Sequence, residues 1–319
     1  MLSFSDGVHV RGTSLHMDAR RSRPRGLVTH AHADHVGRHE CRVSTPATAR
    51  LCARRWGDAS FETHAFGAPW EEGQARVTFL PAGHILGSAM ALVEVRGQRI
   101  LYTGDFRLRP SVTAEPCRLV PADILVMECT FGAPRYRFPP REQVMDQIER
   151  FARECMRRRE VPILLAYSLG KAQEAGRLLS ERGLDVALHG LAYELTRTYR
   201  ELGVDLRGCR SLAGGLGSET VVILPPHLRR SRLLKRFPRR RTAYLSGWAM
   251  DASVRRRFGV DAAFALSDHA DFDELLECVR HVGPRQVFTL HGPDGFSDHL
   301  RARGVHAQPA RVGAQLHLL

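Results

Sequence analysis

The chain has 319 residues, 43% hydrophobic and 25% charged, a balance that allows a sizeable core and excludes disorder, collagen-like repeats and a small disulfide scaffold. Its 47 Lys and Arg against 34 Asp and Glu give a formal charge of +13, so a polyanionic partner is expected, nucleic acid being the commonest. No apolar run approaches the roughly 18–20 residues of a membrane span, and no membrane partner is expected.

In chain order, strands are predicted at Val8–Val10 and 15–17 on either side of a turn at Gly12, then at 27–29, 75–80, 90–95, 99–103 and 123–127. After Pro140 the pattern changes. Val144, Ile148, Phe151 and Cys155 recur at helical spacing. Strands at 163–167, 185–188 and 221–224 then alternate with helices from about Lys171 and Ala192 and with a basic, helix-like run. Such alternation predicts a parallel sheet in a second α/β unit. A strand at 262–266, a helix carrying Phe272, Leu275, Leu276 and Val279, and a strand at 286–290 return to the first style. The expected organisation is an α/β domain in two parts, residues 1–132 and 263–319, with an α/β domain inserted at 133–262. The N-terminal MLSFSDGVHV lacks the basic-then-apolar order of a signal peptide. Seven cysteines without a CxxC pair fit reduced thiols. A cytoplasmic location is therefore expected.

Lys171 and Lys235 are the only lysines. A GC-rich genome explains the preference for arginine, but not the excess of positive charge.

The sharpest chemical signal is Thr29-His30-Ala31-His32-Ala33-Asp34-His35. Alternate residues of an extended loop point the same way, so His30 and His32 can meet one ion while the next turn carries Asp34 and His35 toward another. Imidazole and carboxylate suit Zn²⁺, Mn²⁺ or Fe²⁺. His84, in PAGHILGS, and Asp105, in GDF, follow apolar strands and add ligands from elsewhere in the chain. Asp18 ends another strand and is placed to hold a histidine rather than an ion.

This set, HxHxDH followed by Gly-His and Gly-Asp, resembles the metallo-β-lactamase fold family over residues 1 to about 132 and about 263 to 319. The resemblance implies an αββα sandwich in which Asp18 supports the site and Asp105 bridges two divalent ions. His30, His32 and His84 hold one ion; Asp34, His35 and a C-terminal histidine hold the other. The inserted unit further resembles the β-CASP nucleases, in which the insert follows an acidic residue, here Glu128. Their acidic-His motif matches Ser267-Asp268-His269, and their last histidine matches His291. His189 sits in the same Leu-His-Gly setting as His291 and is given no role.

Two stretches are similar to DNA cross-link repair nucleases related to Artemis: TFGAPRYRFPP (130–140) and Tyr167-Ser168-Leu169-Gly170-Lys171. Retention of His291 instead matches RNA-processing members. The whole combination looks most like the bacterial exonucleases associated with DNA ligase. It implies a 5′→3′ exonuclease acting on DNA that is single-stranded or has a free 5′ end, in company with a ligase and a helicase. Two ions activating hydroxide supply the chemistry, and Asp34 and Asp105 belong to the catalytic centre. His269 either protonates the leaving oxygen or stabilises the transition state, its ring oriented by Glu128 or Asp268. Ser168, Gly170 and Lys171 at a helix N-terminus form a candidate 5′-phosphate pocket. Arg229, Arg230, Arg232 and Arg236, in a run of eight basic residues in thirteen, either track a phosphate backbone or form a solvated loop. An RNA-processing nuclease is the alternative reading, and a thioester or lactam metallo-hydrolase is a third.

Overall fold

The computed structural model describes residues 2–11, 13–57, 60–215, 217 and 219–310; Gly12, read as a turn, lies outside them. The chain forms two compact units, one from Met1–Pro134 with His269–Leu319 and the other from Arg135–Asp268. No helix among the described residues is long and apolar enough to cross a membrane.

The first unit opens with six short strands: β1 (Leu2–Ser3), β2 (Val8–Val10), β3 (His16–Met17), β4 (Arg25–Leu27), β5 (Cys41–Ser44) and β6 (Phe61–Thr63), forming one sheet in that order. Helix α1 (Pro46–Trp56) lies between β5 and β6, capped by the Thr45 hydroxyl on the Thr48 N–H. The next five strands are β7 (Pro69–Glu72), β8 (Ala75–Pro81), β9 (Ala89–Val95), β10 (Gln98–Tyr102) and β11 (Ile124–Glu128).

The second unit contains α2 (Arg141–Arg157), β12 (Val161–Leu165), α3 (Lys171–Glu181), β13 (Asp185–Leu188), α4 (Gly190–Glu201), β14 (Cys209–Ser211), β15 (Thr220–Leu224), β16 (Arg240–Leu245), α5 (Val254–Phe258) and β17 (Ala262–Phe264). Its strands pair in parallel, in the order β14-β13-β15-β12-β16-β17. The basic run expected to be helix-like is two 3₁₀ turns, Pro226–Arg230 and Arg232–Arg236, followed by β16.

The chain then returns to the first unit with α6 (Phe272–Val282), β18 (Gln286–Leu290), α7 (Gly295–Arg301) and β19 (Ala307–Pro309). These complete a sheet ordered β19-β18-β11-β10-β9-β8-β7.

Strand alternation explains the layering. Val77, Phe79, Ile100, Tyr102 and Val126 face one way and pack on Val8, Met17, Leu27 and Val43 of the first sheet. Leu80, Leu101, Leu125 and Met127 face the other way and pack on Phe272, Leu275, Val279 and Phe296. Buried on both sides, Ile100 to Tyr102 of β10 and Ile124 to Met127 of β11 read as continuous apolar runs. The result is a mixed α/β architecture, the αββα sandwich with an inserted α/β unit. The chain leaves this unit six residues after Glu128 and returns at His269, and these two side chains meet at 2.8 Å.

Candidate metal centre

The site residues sit in loops at strand ends. Asp18 follows β3, His30 to His35 follow β4, His84 follows β8, Asp105 follows β10, Glu128 ends β11 and His291 follows β18. Strands β10, β11 and β18 are parallel, so Asp105, Glu128 and His291 leave the sheet at one edge. Two glycines permit close approaches. A Cβ on Gly83 (φ +78°) would lie 2.2 Å from the Arg107 carbonyl oxygen, and one on Gly104 (φ +53°) would lie 2.7 Å from Thr29 Oγ1. Asp18 and His291 take left-handed φ of 51° and 55° without being glycine, local strain of the kind that concentrates at functional sites.

Three imidazoles converge. His32 Nδ1 lies 3.1 Å from both His30 Nε2 and His84 Nε2. Asp105 Oδ2 is 3.5 Å from His30 Nε2 and 3.9 Å from His84 Nε2. Ligands of a tetrahedral zinc at 2.0–2.1 Å are separated by about 3.3–3.4 Å, so these four atoms outline a cation-sized cradle. His30, His84 and Asp105 are all buried. Turning three ring nitrogens and a carboxylate oxygen toward one buried point is reasonable only around a positive charge. The donor set fits a divalent metal.

Asp18 fixes the tautomers. Its Oδ1 accepts the Thr29 N–H at 2.8 Å. Its Oδ2 accepts the Thr29 hydroxyl at 2.7 Å, the Tyr102 hydroxyl at 2.8 Å and His35 Nδ1 at 2.8 Å. Because the Thr29 hydroxyl proton is used on Asp18, His30 Nδ1, 3.0 Å away, must itself donate. That leaves the His30 Nε2 lone pair facing the cluster. His35 Nε2 likewise faces Asp105 Oδ2 at 3.4 Å. The roles of Thr29 and Tyr102 on Asp18 emerge only from the fold; their one mark in the sequence is a Tyr102 hydroxyl three residues before Asp105 on an apolar strand. Tyr102→Phe removes one of four hydrogen bonds to Asp18 with little change of shape. It should weaken metal binding about tenfold, measured by competition with a chromophoric chelator; unchanged affinity would count against the buttress.

The charges are arranged for exchange of a proton for a cation. Burial, reinforced by His35, holds His30 well below the usual imidazole range. Burial also opposes charge on His35, but the Asp105 and Asp18 carboxylates outweigh it and hold that ring well above the usual range. Without metal, His35 is protonated at neutral pH, a stabilisation present below its unfolded pKa and lost as pH rises through the folded one. A metal must displace that proton. Zinc affinity should therefore tighten as pH rises from 6 to 8, with about one proton released from this ring. Calorimetry in buffers of different ionisation enthalpy reads this directly, and a pH-independent affinity would refute it.

On the far side of Asp105, the His35 and His291 rings lie 5.8 Å apart. His291 is exposed. The Asp34 side chain is 72% exposed, with its carboxylate 3.9 Å from His35 Nε2. These three form a more open group than the buried trio. His269 Nδ1 is 2.8 Å from Glu128 Oε1, and its Nε2 is 4.0 Å from Asp105 Oδ2. Glu128 is held by the Phe106 and Thr130 N–H groups, each at 3.2 Å. The carboxylate that orients the His269 ring is thus Glu128.

In the inserted unit, Asp268 pairs instead with Lys171 Nζ at 2.8 Å, both side chains buried. Helix α3 does begin at Lys171, and Gly170 takes a φ of +84°. The ammonium expected to reach a terminal phosphate is nevertheless occupied by a carboxylate, because a buried lysine needs a counter-charge. Gln173 braces the preceding loop through Gly170 N–H and the Ser168 carbonyl. Of the basic run, Arg230, Arg232, Lys235, Arg236 and Arg239 are exposed. Arg229 lies over the Phe258 ring, and Arg240 donates to the Leu234 and Phe237 carbonyls.

Residues 254–311 match the family described as "Zn-dependent metallo-hydrolase RNA specificity domain". The whole chain is similar to a "Probable DNA ligase" of Opitutus terrae, at 41% identity over 99% of this chain and 32% of that protein. Parts of it are similar to an "RNase J-like protein" of Methanocaldococcus jannaschii, at 31% identity over 46% of this chain and 41% of that protein. An "Endoribonuclease ysh1" of Aspergillus fumigatus matches at 32% identity over 38% of this chain and 14% of that protein. The chain thus spans well under half the length of each of these three relatives. A crystal structure of a protein of unknown function from Enterococcus faecalis shares the fold, with a TM-score of 0.61 at 12% identity, covering 92% of this chain and 81% of that one.

Proposed function

We propose that this chain, which belongs to the β-CASP nuclease group of the metallo-β-lactamase superfamily, is a metal-dependent DNA exonuclease that degrades strands from a 5′ end. The observation that carries the metal chemistry is the convergence of His30, His32, His84 and Asp105 ligand atoms within 4.8 Å of one another. His30, His32 and His84 would hold one ion, Asp34, His35 and His291 a second, and Asp105 both. When bound, two divalent ions lower the pKa of a shared water to about 7 and neutralise charge on the attacked phosphate.

The rest is done by the chain. Asp18 keeps the His35 ring in the orientation that presents Nε2 to Asp105. Glu128 keeps His269 Nδ1 protonated, so that Nε2 is the atom available to hand a proton to a leaving oxygen. The inserted unit and the excess of arginine favour a phosphodiester in a polyanion over a small thioester or lactam.

The DNA reading is supported by the relative named a DNA ligase, which matches this chain from end to end within a polypeptide about three times as long. Trimming 5′ ends before joining, in repair and in company with a ligase and helicase, is the setting this suggests. Zinc is the first metal to try, then Mn²⁺ and Fe²⁺. RNA processing is the second reading, favoured by the endoribonuclease-named relatives and by His291.

Matched DNA and RNA strands, labelled at either end and carrying 5′-phosphate or 5′-hydroxyl, separate the two. DNA should be cut at least tenfold faster than RNA of the same sequence, with label lost first from the 5′ end. Equal or faster cleavage of RNA would transfer the assignment to the second reading, and loss from the 3′ end would reverse the polarity.

A further inference from the structure

Among the described residues, five large apolar side chains are strongly exposed: Trp56, Tyr167, Leu191, Trp248 and Met250. Four of the five fall in the inserted unit, and all four follow the carboxyl ends of its strands. Tyr167 comes two residues after β12, Leu191 three after β13, Trp248 three after β16 and Met250 five after it. Scattered exposed apolar residues need no explanation, but a set gathered on one edge does.

The topology brings the aromatics together. Strands β12 and β16 are direct parallel neighbours, with Leu165 opposite Tyr244. Tyr167 and Trp248 therefore rise from adjacent strands, whose spacing is about 4.8 Å. The chain also reverses its direction of winding here, passing from β12 to one side and later from β15 to the other. In open parallel sheets, ligands bind beyond the carboxyl ends of strands at such switch points.

A cation lies over Tyr167 and another over Tyr136, the ring that neighbours Trp248. Lys171 Nζ lies 5.0 Å from the centre of the Tyr167 ring. The Trp248 ring meets Tyr136 edge-on at 5.3 Å, and the Arg135 guanidinium lies 4.7 Å over Tyr136. The turn bearing Trp248 packs on α5, which carries exposed Arg255, Arg256 and Arg257. With Lys171 neutralised by Asp268, the positive charge at this edge comes from Arg135 and the α5 arginines, which suits a polyanion with flat apolar groups and opposes a basic protein surface.

We propose that this edge is a base-stacking surface for single-stranded nucleic acid, with Tyr167 and Trp248 as the platforms on which unpaired bases lie. Every base has a flat face, so stacking holds a strand without regard to sequence while arginines follow its phosphates. This suits a nuclease that must pass one strand base after base. Tyr167 is 52% exposed and Trp248 37%, so both side chains present surface to solvent at this edge.

The inference rests on the nuclease reading and deepens it, so the test reads binding rather than cleavage. The full chain is held in chelator, and anisotropy reports its affinity for labelled oligothymidine and for a strand of equal length made of abasic units. Tyr167→Ala and Trp248→Ala should each weaken oligothymidine binding about tenfold, and Trp248→Phe should recover most of the loss. Affinity for the abasic strand should be nearly the same in all four proteins. Thermal melts matching wild type would verify that these exposed positions leave the fold intact.

Unchanged oligothymidine affinity in both Tyr167→Ala and Trp248→Ala would overturn the proposal and assign the edge to a protein partner. Equal losses on both strands would overturn it too, because the lost contact would not be to bases. In either case the nuclease reading survives if wild-type protein with added metal still cuts DNA. That reading fails separately if neither DNA nor RNA is cut.

Discussion

Replacing Asp105 with alanine should abolish cleavage and empty the site of metal. Asp105 Oδ2 stands between His30 Nε2 at 3.5 Å and His35 Nε2 at 3.4 Å, so the substitution removes a ligand from both sides of the cluster at once. It also removes the negative charge that, with Asp18, keeps His35 protonated against its burial. The neighbouring imidazoles would then face one another without their carboxylate. Losing the ions forfeits several kcal/mol of transition-state stabilisation, about 10³-fold or more in rate. His30→Ala should follow the same course, because that ring lines the same cradle. Metal content by mass spectrometry and single-turnover cleavage of a labelled strand check both claims. An Asp105→Ala protein that keeps its metal and its rate would end the proposed dinuclear site.

The centre was legible in sequence because most of it is local. His30, His32, Asp34 and His35 fall within six residues after a strand, and His84 and Asp105 each follow an apolar run and a glycine. What sequence could not show was which distant carboxylate meets which cation. Lys171 reads as a helix-start lysine open to phosphate, yet the fold buries it against Asp268, leaving Glu128 to orient His269. Tyr102 reads as one more apolar strand residue until its hydroxyl is found on Asp18.

The elements failed to show for a related reason. Strand β16 begins Arg240-Arg241 and merges into the charge run before it. In the sheet its arginines turn outward, Arg240 onto backbone carbonyls and Arg241 over the Phe151 ring at 5.2 Å. Their stems pack while their charges are satisfied. Helix α1 (PATARLCARRW) is masked in the sequence by its mixed composition, which hides a short buried stripe of Thr48, Leu51 and Cys52. Strand β4 lies two residues earlier than expected, at Arg25–Leu27. The residues read as its end instead begin the ligand loop, where Thr29 must turn to reach Asp18.

His269→Ala should separate chemistry from metal holding. The ring lies on the Glu128 side of Asp105, with Nδ1 on the carboxylate at 2.8 Å and Nε2 4.0 Å from Asp105 Oδ2. The proposed ligand set is complete without it. If Nε2 delivers the proton to the leaving oxygen, its loss should slow turnover by roughly 10²–10⁴-fold while metal content stays near wild type. Glu128→Gln supplies the finer comparison. Glutamine can still accept the Nδ1 proton and hold the ring in place, but it no longer favours the charged imidazolium. Its rate should fall less than that of His269→Ala, and the alkaline limb of its pH profile should move to lower pH, because the ring that must arrive protonated now loses its proton more easily. A substrate with a better leaving group needs no protonation there and should restore much of the His269→Ala rate. If His269→Ala instead sheds an ion, or the activated substrate brings no rescue, the ring is a ligand and the proton must come from elsewhere.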